Sequence, residues 1–133
     1  MEKRIKKNGV TVIWNDEEIK DLFSVTNALY KITLPNNQVY YGSAELLADR
    51  IINHCSHVNG KQKTLFGMAL KKYKTIKVSL INEYETIDEA RKAEKRFINI
   101  MAKKVYNKLD NSLDDFCSVV NTVLLNSELY LNC

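Results

Sequence analysis

Six polar residues stand out by type and spacing: Tyr30, Tyr40, Arg50, His54, Glu94 and Asn107. Gathered in one place, they would offer an acceptor-capable phenol, a guanidinium with a fork of donors, and a carboxylate able to take a hard cation. Each also has an ordinary structural reading. A strand tyrosine is usually a half-buried packing residue, and a helix arginine usually faces solvent. Glu94 is as readily paired with a lysine or arginine as with a metal. The combination carries more weight than its members, because one short set of elements would deliver all of them.

Those elements can be read from residue spacing. From Ala28, Tyr30, Ile32 and Leu34 alternate with Leu29, Lys31 and Thr33, and a second run returns from Gln38 to Tyr41 after Pro35-Asn36-Asn37. This predicts a β-hairpin. Any antiparallel register that pairs even-numbered residues with even-numbered ones puts Tyr30 and Tyr40 on one face. Gly42 is expected to end the second strand, where it permits a sharp turn or close approach of a ligand. Ser43 can cap a helix over roughly 44–58, with an apolar stripe of Leu47, Ile51, Cys55 and Val58. Arg50, His54 and His57 then share a neighbouring face.

A second helix is expected from about Thr64 to Tyr73, with Leu65, Met68 and Ala69 inward, followed by a third strand over Ile76, Val78 and Leu80. Thr86 to Glu89 has capping-box spacing and opens a helix over about 87–103. Its inward stripe of Ala90, Phe97, Ile98 and Met101 includes position 94 by spacing, yet that residue is glutamate. A carboxylate there needs a cation, a metal or access to a cleft. Upstream, Val10 to Trp14 reads as a short strand behind the basic arm of Lys3, Arg4, Lys6 and Lys7, and 15–23 could open a short helix. Leu113 to Leu124 suggests a C-terminal helix over 113–125.

With 133 residues the chain fits one domain, and 45% apolar with 27% charged residues is ordinary for a globular fold. No apolar run approaches the roughly 18 residues of a membrane span, and the basic N-terminus lacks a signal-peptide core, so no membrane and a cytoplasmic location are expected. Cys55, Cys117 and Cys133 are odd in number and scattered, which suits reduced thiols. Residues 61–77 hold six lysines and no acid, whereas 110–133 hold acids and no Lys or Arg. A basic middle beside an acidic tail points to a polyanion partner, with a merely solvated lysine face as the equal alternative.

The arrangement resembles the GIY-YIG nuclease family. Ala28-Leu29-Tyr30 stands where that family has Gly-Ile-Tyr, and Tyr40-Tyr41-Gly42 where it has Tyr-Ile-Gly. Arg50 lies eight residues beyond the motif glycine, as the family's helix arginine does, and His54 follows one turn later. Glu94 matches the metal-binding glutamate and Asn107 the asparagine of a Tyr-Asn pair. Ala28 and Tyr41 depart from the pattern, but both suit a strand. Serine at 43, where some repair-type members carry lysine, places the resemblance nearer to homing-endonuclease-like members.

The resemblance implies an α/β (α+β) fold with a small central three-stranded, mostly antiparallel sheet flanked by helices. It divides the chain into an N-terminal extension (1–26), a nuclease core (27–109) and a C-terminal helical segment (110–133) that offers a homodimer contact. It implies a divalent-metal-dependent endonuclease acting on DNA, with a catalytically silent nucleic-acid-binding module of the same fold as the alternative. Tyr30, Tyr40, Arg50, His54 and Glu94 would be catalytic, with Mg²⁺ or Mn²⁺ on Glu94, Tyr40 or His54 able to share the proton transfer, and Tyr30 as a phenolate base. That last role requires a phenol pKa lowered from its ordinary value of about 10. Gly42, Ser43, His57, Lys61, Lys63, Lys71, Lys72 and Asn107 would contact the substrate.

Overall fold

The computed structural model describes residues 2–15, 21–62, 64–108 and 123–125. The elements run β1 (Glu2–Lys7), β2 (Val10–Asn15), a 3₁₀ turn (Leu22–Ser24), β3 (Thr26–Thr33), β4 (Val39–Leu46), α1 (Leu47–Ser56), α2 (Leu65–Tyr73), β5 (Thr75–Glu83) and α3 (Ile87–Lys108).

The sheet is five-stranded and mixed, in the order β1-β2-β5-β3-β4, which corrects the three-stranded expectation. The antiparallel trio β5-β3-β4 is present, but the edge of β5 does not stay open. Strand β2 pairs with it in parallel, and the basic arm is itself a strand, antiparallel to β2 through a turn at Asn8-Gly9. Both turn residues have positive φ (53° and 82°), the conformation that matches the twist of a tight hairpin. The physical reason for the longer sheet is apolar burial. Val10, Val12 and Trp14 are at most 2% exposed and share the main core with Ile76 and Val78.

Register settles which face each strand residue serves. Ile32 lies opposite Tyr40, Tyr30 opposite Gly42, and Ala28 opposite Ala44, so both tyrosines share a face as expected. Helices α1 and α2 bury that face through Leu47, Ile51, Phe66 and Leu70. The odd-numbered face of β4 packs under α3, where Tyr41 meets Ile98 and Ala102. Strand β4 is therefore an edge strand with a helix on either side.

Two expected element ends move. β4 continues through Gly42 to Leu46, because pairing with β3 persists to Thr26 opposite Leu46. Ser43 is thus a strand residue, and α1 starts without a side-chain cap. In α2 the buried positions are Phe66, Ala69 and Leu70, while Met68 is exposed, a one-residue rotation of the predicted stripe. Thr64 caps that helix by accepting a hydrogen bond from the Gly67 amide at 3.0 Å. Thr86 caps α3 as predicted: the Glu89 amide donates to Thr86 Oγ1 at 3.2 Å, and the Thr86 hydroxyl donates to Glu89 Oε1 at 3.3 Å.

Most of the expected C-terminal helix, and most of the short helix expected over 15–23, lie outside the described residues. Within the described part, 123–125 form a bridge to β4 rather than a helical turn. The Val39 amide donates to the Val123 carbonyl and the Leu125 amide to the Val39 carbonyl, both at 2.8 Å. Leu124 enters the small core under α3, and Leu125 the main core. Among the described residues no helix is long and apolar enough to cross a membrane.

Candidate active site

The edge of β4 opens into a cleft of about 720 Å³, lined by Tyr30 and Tyr40 from the hairpin, Arg50 and Asn53 from α1, and Glu94 and Lys95 from α3. Strand pairing builds the first wall. Tyr30 is fully buried, and its phenol crosses the backbone of Gly42. A Cβ at position 42 would lie 2.5 Å from the Tyr30 hydroxyl oxygen. The glycine thus serves a close approach within the strand rather than a turn at its end.

Tyr30 Oη lies 3.2 Å from His54 Nε2. Tyr40 stacks on Phe66 with ring centroids 4.2 Å apart, and His54 meets the edge-on face of the same phenylalanine at 4.9 Å. Phe66 is the packing residue that the rotated α2 stripe concealed. Its signal was the apolar set 66, 69, 70 at i, i+3, i+4. The Arg50 guanidinium donates toward both phenol oxygens.

Electrostatics follow from this packing. Burial, and then the neighbouring Tyr40, push the Tyr30 phenol well above its ordinary value, outweighing the opposing pull of Arg50. Tyr40 is raised for the same leading reason. Burial, then the Arg50 charge, hold His54 down at about 4, so its imidazole is neutral at physiological pH. Burial pulls Arg50 down, but the phenols of Tyr30 and Tyr40 push it up by more, and the guanidinium stays charged. The direction for Tyr30 is opposite to the one a phenolate base requires.

The second wall belongs to α3. Glu94 is 7% exposed and is the buried charged residue among the described core positions. The Ser43 hydroxyl donates to Glu94 Oε1 at 2.8 Å. Ser43 can reach it because odd-numbered β4 residues face α3, the opposite side of the strand from Tyr40. Among the described residues no three His, Cys, Asp or Glu side chains form a ready-made metal cage. A single buried carboxylate facing a wet cleft nevertheless fits Mg²⁺ or Mn²⁺, hard ions held by one or two carboxylates that keep several waters.

Tyr30, Tyr40, Arg50, Ser43 and Glu94 are therefore brought to one cleft, with His54 behind Tyr30. His57 is exposed and its Nε2 lies 3.1 Å from Asn53 Oδ1. Lys71 donates to the Gly60 carbonyl at 3.2 Å, and Lys72 lies over the Tyr73 ring at 5.3 Å, both away from the cleft. Lys61 is exposed. Lys63 and the Asn107 side chain lie outside the described residues. Spacing did not single out Glu45, Asp49, Asn53, Arg91 and Lys95, which also line the cleft.

No curated protein and no solved structure matches the chain. A family model described as the GIY-YIG catalytic domain matches residues 26–107, which run from the first residue of β3 to the last turn of α3. With Tyr30, Arg50 and Glu94 meeting across one cleft within that span, the chain belongs to the GIY-YIG catalytic domain family and has a nuclease-type function.

Proposed function

We propose that the protein is a divalent-metal-dependent endonuclease that hydrolyses DNA phosphodiester bonds. The observation that carries this reading is Glu94, buried on α3, facing across the cleft a neutral phenol–imidazole pair and a guanidinium on the other side of the sheet edge. Phosphodiester hydrolysis needs an acceptor for the water proton and cationic groups around the phosphate. The hairpin–α1 wall supplies the acceptor and the Arg50 cation, and the α3 wall supplies the carboxylate that would hold a metal cation.

In this reading a substrate phosphate sits between Arg50 and Glu94. Arg50 binds its non-bridging oxygens and strengthens that contact as charge develops on them. Water attacks phosphorus as its proton passes to the Tyr30 oxygen, while the Tyr30 proton moves to His54 Nε2. The 3.2 Å contact gives this path, and because burial disfavours both a free phenolate and an imidazolium, His54 passes a proton on to solvent as it takes one from Tyr30. Tyr40, held by Phe66, orients the water or a phosphate oxygen. The departing 3′ oxygen takes a proton from solvent. Glu94, oriented by Ser43, would hold Mg²⁺ or Mn²⁺. When bound, that ion supplies neutralisation of the scissile phosphate and the leaving oxygen.

The test is nicking of supercoiled plasmid with Mg²⁺, Mn²⁺ or EDTA by the wild type and by Arg50→Ala and Glu94→Ala variants. Metal-dependent nicking by the wild type, lost in both variants, is expected. Equal nicking by all three, or none by the wild type, removes the enzymatic reading. Salt-sensitive binding without cleavage would leave the silent binding module.

A further inference from the structure

Resting on the DNA-nuclease reading, we propose that the outer ridge of α3 and the open half of the adjoining sheet face form one phosphate track for duplex DNA flanking the cleft.

The strand register places the cations. Arg4 lies opposite Ile13, Ile13 opposite Lys77, and Lys77 opposite Thr33, so this row crosses four strands on one face. Lys6 and Thr11 form the next pair on that face. Arg4, Lys6 and Lys77 are exposed. The opposite face of the same strands is core, with Val12, Ile76 and Val78 at most 2% exposed. Helix α3 covers the odd-numbered face over β3 and β4, leaving Lys6 and Lys77 exposed on β1 and β5 beyond it.

The ridge continues this surface. Lys92, Arg96 and Lys103 are exposed, and their spacing keeps them within a narrow arc opposite the buried stripe. From 92 to 103 the arc extends roughly 16 Å along the helix. Arg91 and Lys95, one position earlier, line the cleft. Of the acids on this part of α3, Glu94 is buried on the other side of the helix, Glu89 is engaged with Thr86 at the cap, and Asp88 lies 3.9 Å from Arg91. Basic groups thus lead from the cleft, over α3, to the sheet floor.

A duplex carries about one charge per 1.7 Å of axis, so a cationic surface of this extent matches several phosphates and reads no sequence. The lysines of α2 lie off this track, since α2 packs on the opposite face of the sheet.

The test uses fluorescence anisotropy of a labelled duplex against the full chain in EDTA, so that cleavage cannot interfere, over a salt series. Three double variants are compared: Lys6→Gln/Lys77→Gln, Lys92→Gln/Arg96→Gln and Lys61→Gln/Lys72→Gln. The first two are expected to flatten the slope of log K against log salt by about 2 each, and the third to leave it unchanged. All six positions are exposed, so stability is expected to hold. Wild-type slopes in the first two variants, or a loss confined to the third, overturn the track while plasmid nicking keeps the enzymatic reading intact. Tighter binding of a single strand than of the duplex, with the same variant pattern, overturns the duplex as occupant. A wild type that neither binds nor nicks removes the underlying reading itself.

Discussion

The two walls of the cleft are built on different physical terms. The hairpin–α1 wall is tightly packed: Tyr30 is fully buried, Tyr40 stacks on Phe66, and His54 is held neutral behind them. The α3 wall presents one carboxylate on a helix whose neighbouring positions, Arg91 and Lys95, are exposed. One wall sets an uncharged phenol–imidazole pair beside the charged Arg50 guanidinium; the other presents a carboxylate to the cleft. The edge of β4 separates them, since Tyr40 and Ser43 project from opposite faces of the same strand. If the proposed roles hold, the proton relay and the metal-holding carboxylate are separable by mutation, because they stand on different walls.

Removing the relay is expected to have the largest effect. Tyr30→Phe keeps the ring packing but deletes the oxygen that faces His54, and kcat is expected to fall about 10²–10⁴-fold with little change in Mn²⁺ affinity. A variant that loses metal binding as well would show that the walls are not independent. Gly42→Ala comes next. The added methyl must displace the Tyr30 phenol, and a shift of about 1 Å is expected to cost roughly 10²-fold in rate. Single-turnover cleavage measures it, and an unaffected rate would mean the phenol position is not critical.

The pH–rate profile sharpens the assignment. With His54 neutral down to about pH 4, chemistry through the relay is expected to vary little between pH 6 and 9. A rise of about tenfold per pH unit across that window would instead point to deprotonation outside the relay, of a phenol or of a metal-bound water. On the other wall, Ser43→Ala removes the hydrogen bond to Glu94 and is expected to weaken Mn²⁺ binding about tenfold, measured by calorimetry, with Ser43→Thr restoring it. An unchanged affinity would make Ser43 a packing residue only.

The smallest effect is on stability. Between about pH 6.5 and 4 the unfolded chain protonates His54 while the folded chain does not. Stability therefore falls as pH drops through that window. The wild type is expected to lose more melting temperature between pH 7 and 5 than His54→Gln does, and equal losses would contradict the half-buried neutral imidazole.

Much of this was legible from residue order. The period-2 alternation around Pro35-Asn36-Asn37 located the hairpin, parity put Tyr30 and Tyr40 together, and an acid in an apolar helical stripe marked Glu94. Local composition misled elsewhere. Lys3 to Lys7 read only as a basic arm, because Ile5 is the one apolar residue in it, yet it forms the outer strand of the sheet. Ser43 looked like a helix cap because capping is a local preference, whereas pairing with β3, distant in sequence, extends β4 to Leu46.

The sequence by itself determined the reactive groups and the faces they occupy, since side-chain chemistry and the periods of strand and helix are local properties. Only the tertiary structure decided what those groups do. Burial depends on which elements pack together, and it raised the Tyr30 phenol, lowered the His54 imidazole and set Ser43 against Glu94. Tyr30, whose family resemblance implied a phenolate, is a buried neutral phenol beside His54, and Ser43, which spacing presented as a helix cap, is a hydrogen-bond donor to Glu94.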